Sequence, residues 1–335
     1  MKLNFEQIQA VSLGCARLEK ENAAIRIYRM PDKLGAEYEP YEAHRIRRDC
    51  PVSVRLRFRS NSRSLKIHLL YGAASREIYQ LACIVDGELI LLGPSAVTAS
   101  WNGEIPPLQK RAERLFELWL PSMVRTDIVS IELEDNASFA PAREHAFRWL
   151  AYGDSITQGM TVPNPAENHI ALIARALNAD VWNMGIGGGR MMAFLADTIP
   201  SFDYDIVTIA YGVNDFISNV PLSTYRENAR NFFTSLLAHR PDSPVLAISP
   251  IPFLTDKKAN TFGATLDDFH DALAAEASGF RNLIIADGRQ LVPAEAGFFV
   301  DGCHPNAEGA RVYAERLLPI MRSCLKPSQG QETHR

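Results

Sequence analysis

A serine, a histidine and an aspartate occur in this sequence in contexts suited to nucleophilic catalysis. Ser155 closely follows the short apolar run 147–152, and His304 lies three residues after Asp301. A serine hydroxyl is a weak nucleophile until a base removes its proton, and an imidazole is suited to that task near neutral pH. A carboxylate close to the histidine can orient its ring. The pattern predicts acyl transfer through an acyl-serine, with Ser155 as nucleophile, His304 as base and Asp301 as its partner.

The oxyanion that develops in such a reaction needs fixed hydrogen-bond donors, and three further groups can supply them. They are the backbone N–H of Ser155, a glycine backbone N–H in the Gly187-Gly188 stretch and the side-chain amide of Asn214. The residues alone leave Gly187 and Gly188 as alternatives, because three consecutive glycines make the register ambiguous.

Each of these residues alone has an ordinary structural explanation. Ser155 could cap a helix, Asn214 could occupy a turn and His304 could lie at a surface cap. Their combination at strand ends favours catalysis. A dinucleotide-binding loop is disfavoured, because the pattern G-x-G-x-x-G that starts at Gly185 has Arg190 in place of its last glycine.

The chemistry-bearing positions belong to a half of the chain in which apolar runs alternate with helical patterns. Continuous apolar runs are typical of parallel strands covered on both faces, and four of them occur at residues 147–152, 206–211, 245–248 and 283–286. Helical patterns lie between them at 170–177 and 222–236. Ligands of open α/β sheets bind at the carboxyl ends of the strands, where these residues fall. We expect Pro305 at the first position of the last helix, with His304 at its cap.

The four polar blocks, in this order, resemble those of the SGNH hydrolases, also called the GDSL esterase/lipase family. The blocks are Gly153-Asp154-Ser155-Ile156-Thr157, Asn183-x-Gly185-x-x-Gly188, Gly212-Val213-Asn214-Asp215 and Asp301-x-x-His304-Pro305-Asn306. Isoleucine stands at position 156 where the family's name has leucine. The resemblance covers roughly residues 147–325. It implies a flavodoxin-like three-layer fold, no metal and no cofactor. It also implies a Ser155, Asp301 and His304 triad, an oxyanion hole of Ser155, Gly188 and Asn214, and a supporting role for Asp154.

The first 145 residues have the pattern of an all-β domain. Alternating apolar positions predict one hairpin from 52–58 and 65–69, a second from 79–85 and 88–92, and a later strand at 129–133. No strong amphipathic helix is expected between residues 24 and 140. Antiparallel strands without helices favour a sandwich or jelly roll.

We therefore divide the chain into a β-sandwich domain (1–145), an SGNH-type α/β domain (146–326) and a polar tail (327–335). We expect the N-terminal domain to form part of the substrate entrance, facing loops 159–165 and 252–263. A polar sheet face is expected to carry Arg55, Arg57, Arg59, Lys66 and His68. A solvated face is the favoured explanation, and a docking surface for a phosphate-bearing donor such as a coenzyme A thioester is the alternative.

Composition excludes several classes of partner. The formal net charge is −4 and the pI is about 6.1, which gives no electrostatic reason to expect nucleic acid or an anionic membrane. No apolar stretch could span a bilayer, and the N-terminus has no signal-peptide pattern. Five cysteines without a CxxC pair suggest reduced thiols, so we expect a cytoplasmic protein.

These observations predict a serine esterase that hydrolyses short-chain acyl esters. Its substrate is expected to be a small molecule, with acetylated carbohydrates among the candidates. An all-β domain before such a hydrolase domain also resembles two-domain sugar deacetylases and some acyltransferases. An acyltransferase with the same serine is the first alternative, and an inactive binding module is the second. The oligomeric state is left open.

Overall fold

Two antiparallel sheets in the first half of the chain and one parallel sheet in the second half build the protein. The computed structural model describes residues 1–255 and 258–325, so the tail at 327–335 and Lys326 lie outside the described residues. The strands are β1 (Ser12–Leu13), β2 (Arg17–Glu21), β3 (Ala24–Tyr28), β4 (Arg55–Ser60), β5 (Leu65–Ala74), β6 (Leu81–Val85), β7 (Glu88–Leu92), β8 (Ser100–Glu104), β9 (Arg114–Trp119), β10 (Val124–Leu133), β11 (Ala140–Pro141), β12 (Phe147–Gly153), β13 (Ala179–Asn183), β14 (Ile206–Ala210), β15 (Val245–Ile248) and β16 (Leu283–Ala286). The helices are α1 (Phe5–Val11), α2 (Asp32–Tyr38), α3 (Glu42–Arg48), α4 (Ser155–Gln158), α5 (His169–Ala176), α6 (Val213–Ile217), α7 (Leu222–His239), α8 (Leu266–Ala277) and α9 (Ala307–Leu325).

The N-terminal sheets form the predicted β-sandwich. One sheet has the order β1-β4-β9-β6-β7, with β11 also paired to β4, and the other has the order β2-β3-β10-β5-β8. Their apolar side chains share one core between the sheets. The hairpin of β6 and β7 is confirmed. Positive φ angles at Asp86 (49°) and Gly87 (92°) suit the two-residue turn that matches the twist of paired strands.

The other predicted hairpin is wrong. Strand β4 pairs with β1, β9 and β11, whereas β5 pairs with β10 and β8 in the facing sheet. The polar segment 61–64 carries the chain from one sheet to the other. Phe58 and Leu65 both enter the core between the sheets. Alternation shows which face of a strand is buried, but it does not identify the neighbouring strand.

Two short helices, α2 and α3, lie between residues 24 and 140, where no strong amphipathic helix was expected. Each has only seven residues, and neither has a side-chain cap hydrogen bond. Helices this short gain most of their stability from tertiary packing. Leu34 and Tyr38 of α2 are buried in a hydrophobic cluster that belongs mainly to the second half of the chain. The stabilising contacts are therefore too distant in sequence to produce a local pattern.

The second half has the flavodoxin-like architecture that the sequence predicted. Its sheet is wholly parallel with the order β13-β12-β14-β15-β16, which is the 2-1-3-4-5 order of a doubly wound fold. The helical patterns at 170–177 and 222–236 correspond to α5 and α7. Hydrophobic clusters cover both faces of the sheet, which explains why its strands are continuously apolar.

The arginines predicted to share a solvated sheet face are mostly buried against the second half of the chain. Arg55 donates through Nη2 to the Ala179 carbonyl over 2.7 Å, and its guanidinium lies 4.8 Å from the centre of the Trp119 ring. Arg57 donates through Nη2 to Asn178 Oδ1 over 3.2 Å. Lys66 and His68 lie on β5, in the other sheet. The common basic face proposed for a phosphate-bearing donor therefore does not form.

Candidate active site

The structure brings Ser155, His304 and Asp301 into one chain of hydrogen bonds at the carboxyl end of the parallel sheet. Ser155 Oγ lies 2.8 Å from His304 Nε2, and His304 Nδ1 lies 2.8 Å from Asp301 Oδ2. An ionised carboxylate can only accept hydrogen bonds, so Nδ1 carries the ring proton and Nε2 is left to accept from the serine hydroxyl. This is the contact order that a serine nucleophile, a base and an orienting carboxylate require.

A sharp strand-to-helix turn presents Ser155. The strand β12 ends at Gly153, and Ser155 is the first residue of α4. A Cβ on Gly153 would lie only 2.0 Å from Thr157 Oγ1, so only glycine fits there. Asp154 caps α4, because its Oδ1 accepts from the Ile156 N–H over 2.9 Å. Asp154 thus supports the turn that carries the serine. Burial raises the pKa of the Asp154 carboxyl, and the nearby negative charge of Asp215 raises it further.

The loop before α9 holds the histidine and its aspartate. Asp301 Oδ1 accepts from the backbone N–H groups of Cys303 (3.0 Å) and His304 (2.8 Å). Burial alone would raise the pKa of Asp301, but the backbone N–H and the side chain of His304 bring it below its usual value. The carboxyl therefore remains ionised and ready to accept from the imidazole.

The prediction that Pro305 occupies the first position of the last helix is wrong. Helix α9 begins at Ala307, and Asn306 caps it through a 2.9 Å bond from the Gly309 N–H to Asn306 Oδ1. Pro305 instead forms an isolated bridge with Phe299. Its carbonyl accepts from Thr161 Oγ1 over 2.8 Å. The histidine is thus held by a structured loop rather than by a helix cap.

The glycine-rich turn separates Gly187 from Gly188. The Gly187 N–H donates to Gln158 Oε1 over 2.7 Å, and Gly187 itself is buried. Gly188 is exposed with φ of 76°, a left-handed conformation that favours glycine. Within residues 1–255 and 258–325 its N–H has no hydrogen-bond acceptor. Of the two registers left open by the sequence, this geometry favours Gly188 as an oxyanion donor.

Asn214 approaches the same turn from the third block. It lies in α6, which follows Gly212, and its Nδ2 donates to the Gly189 carbonyl over 3.1 Å. An amide nitrogen has two hydrogens, so a second hydrogen remains for another acceptor. Asp215 accepts from the Met191 N–H over 3.1 Å, and burial raises the pKa of Asp215 from 3.8 to about 7. The second and third blocks are therefore joined by hydrogen bonds.

Sequence reasoning missed the residues that brace this turn. Gln158 lies three residues after Ser155 on α4, and that helical spacing was the available signal. Arg29 is buried and donates to the carbonyls of Asn183 and Cys50. Arg47 donates to the Gly187 carbonyl over 2.8 Å. No local pattern marks Arg29 or Arg47. Arg29 bonds to Asn183 and Arg47 bonds to Gly187, and each partner is more than 130 residues away in sequence.

Cys303 is not arranged as a nucleophile. Burial raises the pKa of its thiol to about 12, so the thiol stays protonated near neutral pH. All five cysteines are free thiols. The described residues contain no cluster of three or more histidine, cysteine, aspartate or glutamate side chains that could hold a metal ion. In the same part of the chain, no helix has the length and apolar character needed to cross a bilayer.

Comparison with known proteins assigns a family to the second half of the chain. Residues 151–312 match the GDSL-like lipase/acylhydrolase family. This half of the chain belongs to that family. The match places the protein among esterase/hydrolase enzymes and confirms the resemblance seen in the four sequence blocks. No curated protein sequence is similar enough to the chain to be a recognisable relative.

Solved structures match the hydrolase and its N-terminal region together. The salicylyl-acyltransferase SsfX3 from a tetracycline biosynthetic pathway is 22% identical, with a TM-score of 0.83 over 93% of this chain and 94% of that chain. A protein from Bacteroides ovatus described as a GDSL-like lipase is 17% identical, with a TM-score of 0.78 over 97% and 98% of the two chains. A family two carbohydrate esterase from Clostridium thermocellum, solved with cellohexaose, is 17% identical, with a TM-score of 0.65 over 82% and 93%. These likenesses show the two-part fold.

Proposed function

We propose that the protein is a serine esterase that cleaves short-chain acyl esters through an acyl-serine intermediate. The observation that carries the proposal is the hydrogen-bond chain from Ser155 Oγ through the His304 ring to Asp301. Ser155 attacks the ester carbonyl while His304 Nε2 takes its proton, and the imidazolium then gives that proton to the leaving alcohol. Water activated by His304 attacks the acyl-serine, and the acid is released with Ser155 restored.

The oxyanion of both steps is assigned three donors: the N–H groups of Ser155 and Gly188 and the side-chain amide of Asn214. Donors that are fixed before the reaction stabilise the developing charge without reorganising during it. Helix α4 fixes the first donor, the glycine-rich turn fixes the second, and the bond to the Gly189 carbonyl orients the third.

We assign the acyl group to a small cavity that borders the chain neighbours of Ser155. The cavity has a volume of about 20 Å³ and is lined by Asp154, Ile156, Val213, Ile251 and Tyr313, among others. This is room for roughly one water-sized or methyl-sized group. We therefore propose that the enzyme acts on short acyl groups.

We propose that the N-terminal region forms one wall of the substrate entrance. His44 of α3 has its Nε2 atom 3.3 Å from the position that a Cβ on Gly188 would occupy. The His44 ring lies 5.5 Å from the ring of Tyr38 and 5.6 Å from that of Tyr41, which is exposed. Ligand sites are commonly lined by such aromatic groups with a few polar atoms. A sugar ring or another planar group is a suitable occupant.

The contacts of the two predicted entrance loops differ. Met160, in loop 159–165, packs with Cys50, Val52 and Met123 of the N-terminal half. Loop 252–263 includes Asp256 and Lys257, which lie outside the described residues. In the described part of that loop, Asn260 bonds to the Val220 carbonyl of the hydrolase half. Loop 159–165 is therefore the one that we assign to the boundary with the N-terminal half.

An acyltransferase that uses the same serine and a non-water acceptor is the second candidate. The likeness to SsfX3, named as a salicylyl-acyltransferase, favours it because the match spans 93% of this chain. Both candidates share the first half-reaction and differ only in what attacks the acyl-serine.

The proposal is tested with 4-nitrophenyl acetate, butyrate and octanoate, each with and without a xylose or cellobiose acceptor. We expect kcat/KM to fall as the acyl chain lengthens and the free acid to be the main product. Faster turnover of octanoate would contradict the short-acyl assignment. If more acylated sugar than free acid is formed, the protein is an acyltransferase and the proposal of hydrolysis is wrong.

Replacing Asn214 tests the side-chain oxyanion donor. Asn214→Ala is expected to lower kcat by about 10²–10³-fold, the effect of removing one such donor, with little change in KM. Asn282→Ala is the matched control, because the side-chain amide of Asn282 also donates to a carbonyl, that of Pro241, and this bond is exposed and involves none of the proposed site residues. A large increase in KM with unchanged kcat would show that Asn214 binds the ground state instead.

A further inference from the structure

Helix α3 of the N-terminal half lies directly against the glycine-rich turn of the candidate active site. Arg47 of this helix donates through Nη1 to the Gly187 carbonyl over 2.8 Å. Its Cδ and Nε atoms lie 3.0 Å from the position that a Cβ on Gly187 would occupy. The side chain is therefore packed against the turn as well as bonded to it.

The carbonyl that Arg47 holds belongs to the same peptide unit as the proposed donor. Gly187 C=O and Gly188 N–H are joined by one planar peptide bond, and the chain contains no cis peptide among the described residues. In a trans peptide the C=O and N–H bonds point in opposite directions. Fixing the Gly187 oxygen on one side of the turn therefore fixes the direction of the Gly188 N–H on the other side.

Gly188 needs this external support although the Gly189 N–H closes the turn on the Ile186 carbonyl over 2.8 Å, because that bond still lets the central Gly187–Gly188 peptide flip. Glycine has more backbone freedom than any other residue, and three glycines follow one another here. The preceding peptide is held by the bond from the Gly187 N–H to Gln158 Oε1 over 2.7 Å. Arg47 supplies the corresponding restraint on the next peptide, so both peptide units of Gly187 are fixed.

Arg47 is itself held in place at its backbone. Its carbonyl accepts from Gln158 Nε2 and from Arg29 Nη2, each over 3.2 Å. Arg29 is buried and also donates to the Cys50 carbonyl over 3.0 Å. Gln158 thus bonds to both Arg47 and Gly187, which places α3, α4 and the turn in one network.

We propose that Arg47 is a positioning residue that orients and polarises the Gly187–Gly188 peptide, so that the Gly188 N–H is directed at the oxyanion. The inference rests on the proposed function, in which Gly188 is an oxyanion donor. A charged donor on the carbonyl withdraws electron density from the peptide and strengthens its N–H as a donor. The N-terminal half thereby completes the oxyanion hole of the hydrolase half without touching the reacting atoms.

The first test separates kcat from KM in Arg47→Ala and Arg47→Met, with 4-nitrophenyl acetate as substrate. We expect kcat to fall by about 10–100-fold, less than the loss of a whole oxyanion donor, with KM changed less than twofold. Inhibition by a short alkylboronic acid, whose tetrahedral adduct needs the same donor, should weaken by a similar factor. Arg45→Ala on the exposed side of α3 is the matched control, and its kinetics should equal those of the unchanged protein.

The second test adds guanidinium chloride at about 50 mM to Arg47→Ala, with sodium chloride at equal concentration as the control. The small cation can occupy the space left by the side chain, so we expect kcat to recover several-fold in guanidinium alone. Thermal melting checks that the variants are folded, and Arg47→Met keeps the apolar stem if the alanine variant unfolds. Unchanged kcat in a folded variant, or a rise in KM alone, would overturn the inference. Activity retained by Ser155→Ala would instead overturn the proposed function, so the two failures are distinguishable.

Discussion

Ser155→Ala is expected to lower kcat by about 10⁴-fold or more, because it removes the atom proposed to form the covalent intermediate. His304 Nε2 lies 2.8 Å from Ser155 Oγ and then has no hydroxyl to deprotonate. The residual rate comes from the oxyanion donors and from substrate binding, which the substitution leaves in place. Initial rates of 4-nitrophenyl acetate hydrolysis over a range of substrate concentrations measure the effect.

Ser243→Ala is the matched control for the serine. Ser243 is buried like Ser155, but its hydroxyl bonds to the Tyr204 carbonyl and not to a histidine. We expect kcat within about twofold of the unchanged protein, as for substitutions away from a reacting group. Full activity in Ser155→Ala would show that another residue, or none, is the nucleophile.

Asp301→Asn is expected to lower kcat by about 10³–10⁴-fold, in line with the effect of the same change in a serine protease triad. Asp301 Oδ2 lies 2.8 Å from His304 Nδ1 and accepts a hydrogen bond from the Nδ1–H group. An amide NH₂ at that position would donate to Nδ1 instead. The imidazole would then carry its proton on Nε2, where it could no longer accept from Ser155.

Glu308→Gln is the control for the loss of one carboxylate. Glu308 is exposed on α9 and pairs with Arg311, away from the histidine. Its replacement removes the same unit of charge without changing the tautomer of His304. If Asp301→Asn keeps a kcat close to that of Glu308→Gln, the carboxylate does not orient the imidazole and the triad assignment is wrong.

The order and type of the elements in the hydrolase half were predictable because their signals are local. Continuous apolar runs mark strands that are covered on both faces, and the polar blocks follow those strands directly. The positions of Ser155, Asn214 and His304 at the carboxyl edge of the sheet therefore follow from the sequence alone. The choice between the two neighbouring glycines depends on tertiary contacts such as the bond from the Gly187 N–H to Gln158, which favours Gly188 as the proposed oxyanion donor.

The relation between the two halves could not be predicted from local patterns. Arg55 and Arg57 alternate with apolar residues as the polar face of an exposed strand would, yet they bond to Ala179 and Asn178 of the second half. An alternating pattern shows that one face is polar, but not whether another part of the chain covers that face. The short helix α3 could not be predicted from its local sequence for a related reason. Its residue Arg47 bonds to a turn that is 140 residues away.

The N-terminal half is more than an appended sandwich. Ile84 and Trp119 lie in the same hydrophobic cluster as Trp149 and Val181 of the hydrolase half. Burial of large apolar side chains on both sides of a boundary couples the folding of the two parts. The bonds from Arg29 to Asn183 and from Arg47 to Gly187 add polar contacts across the same boundary.

The most direct test of the central claim is covalent labelling with an alkyl fluorophosphonate followed by peptide mass spectrometry. The protein contains a second serine–histidine contact, in which Ser249 Oγ lies 2.8 Å from His270 Nδ1. His270 is buried, whereas His304 is partly exposed, and Ser249 Oγ also accepts from the Gly288 N–H. We expect one added phosphonyl group, on Ser155 alone, and no label in Ser155→Ala. Labelling of Ser249 or another residue, or no labelling of the folded and active protein, would contradict it.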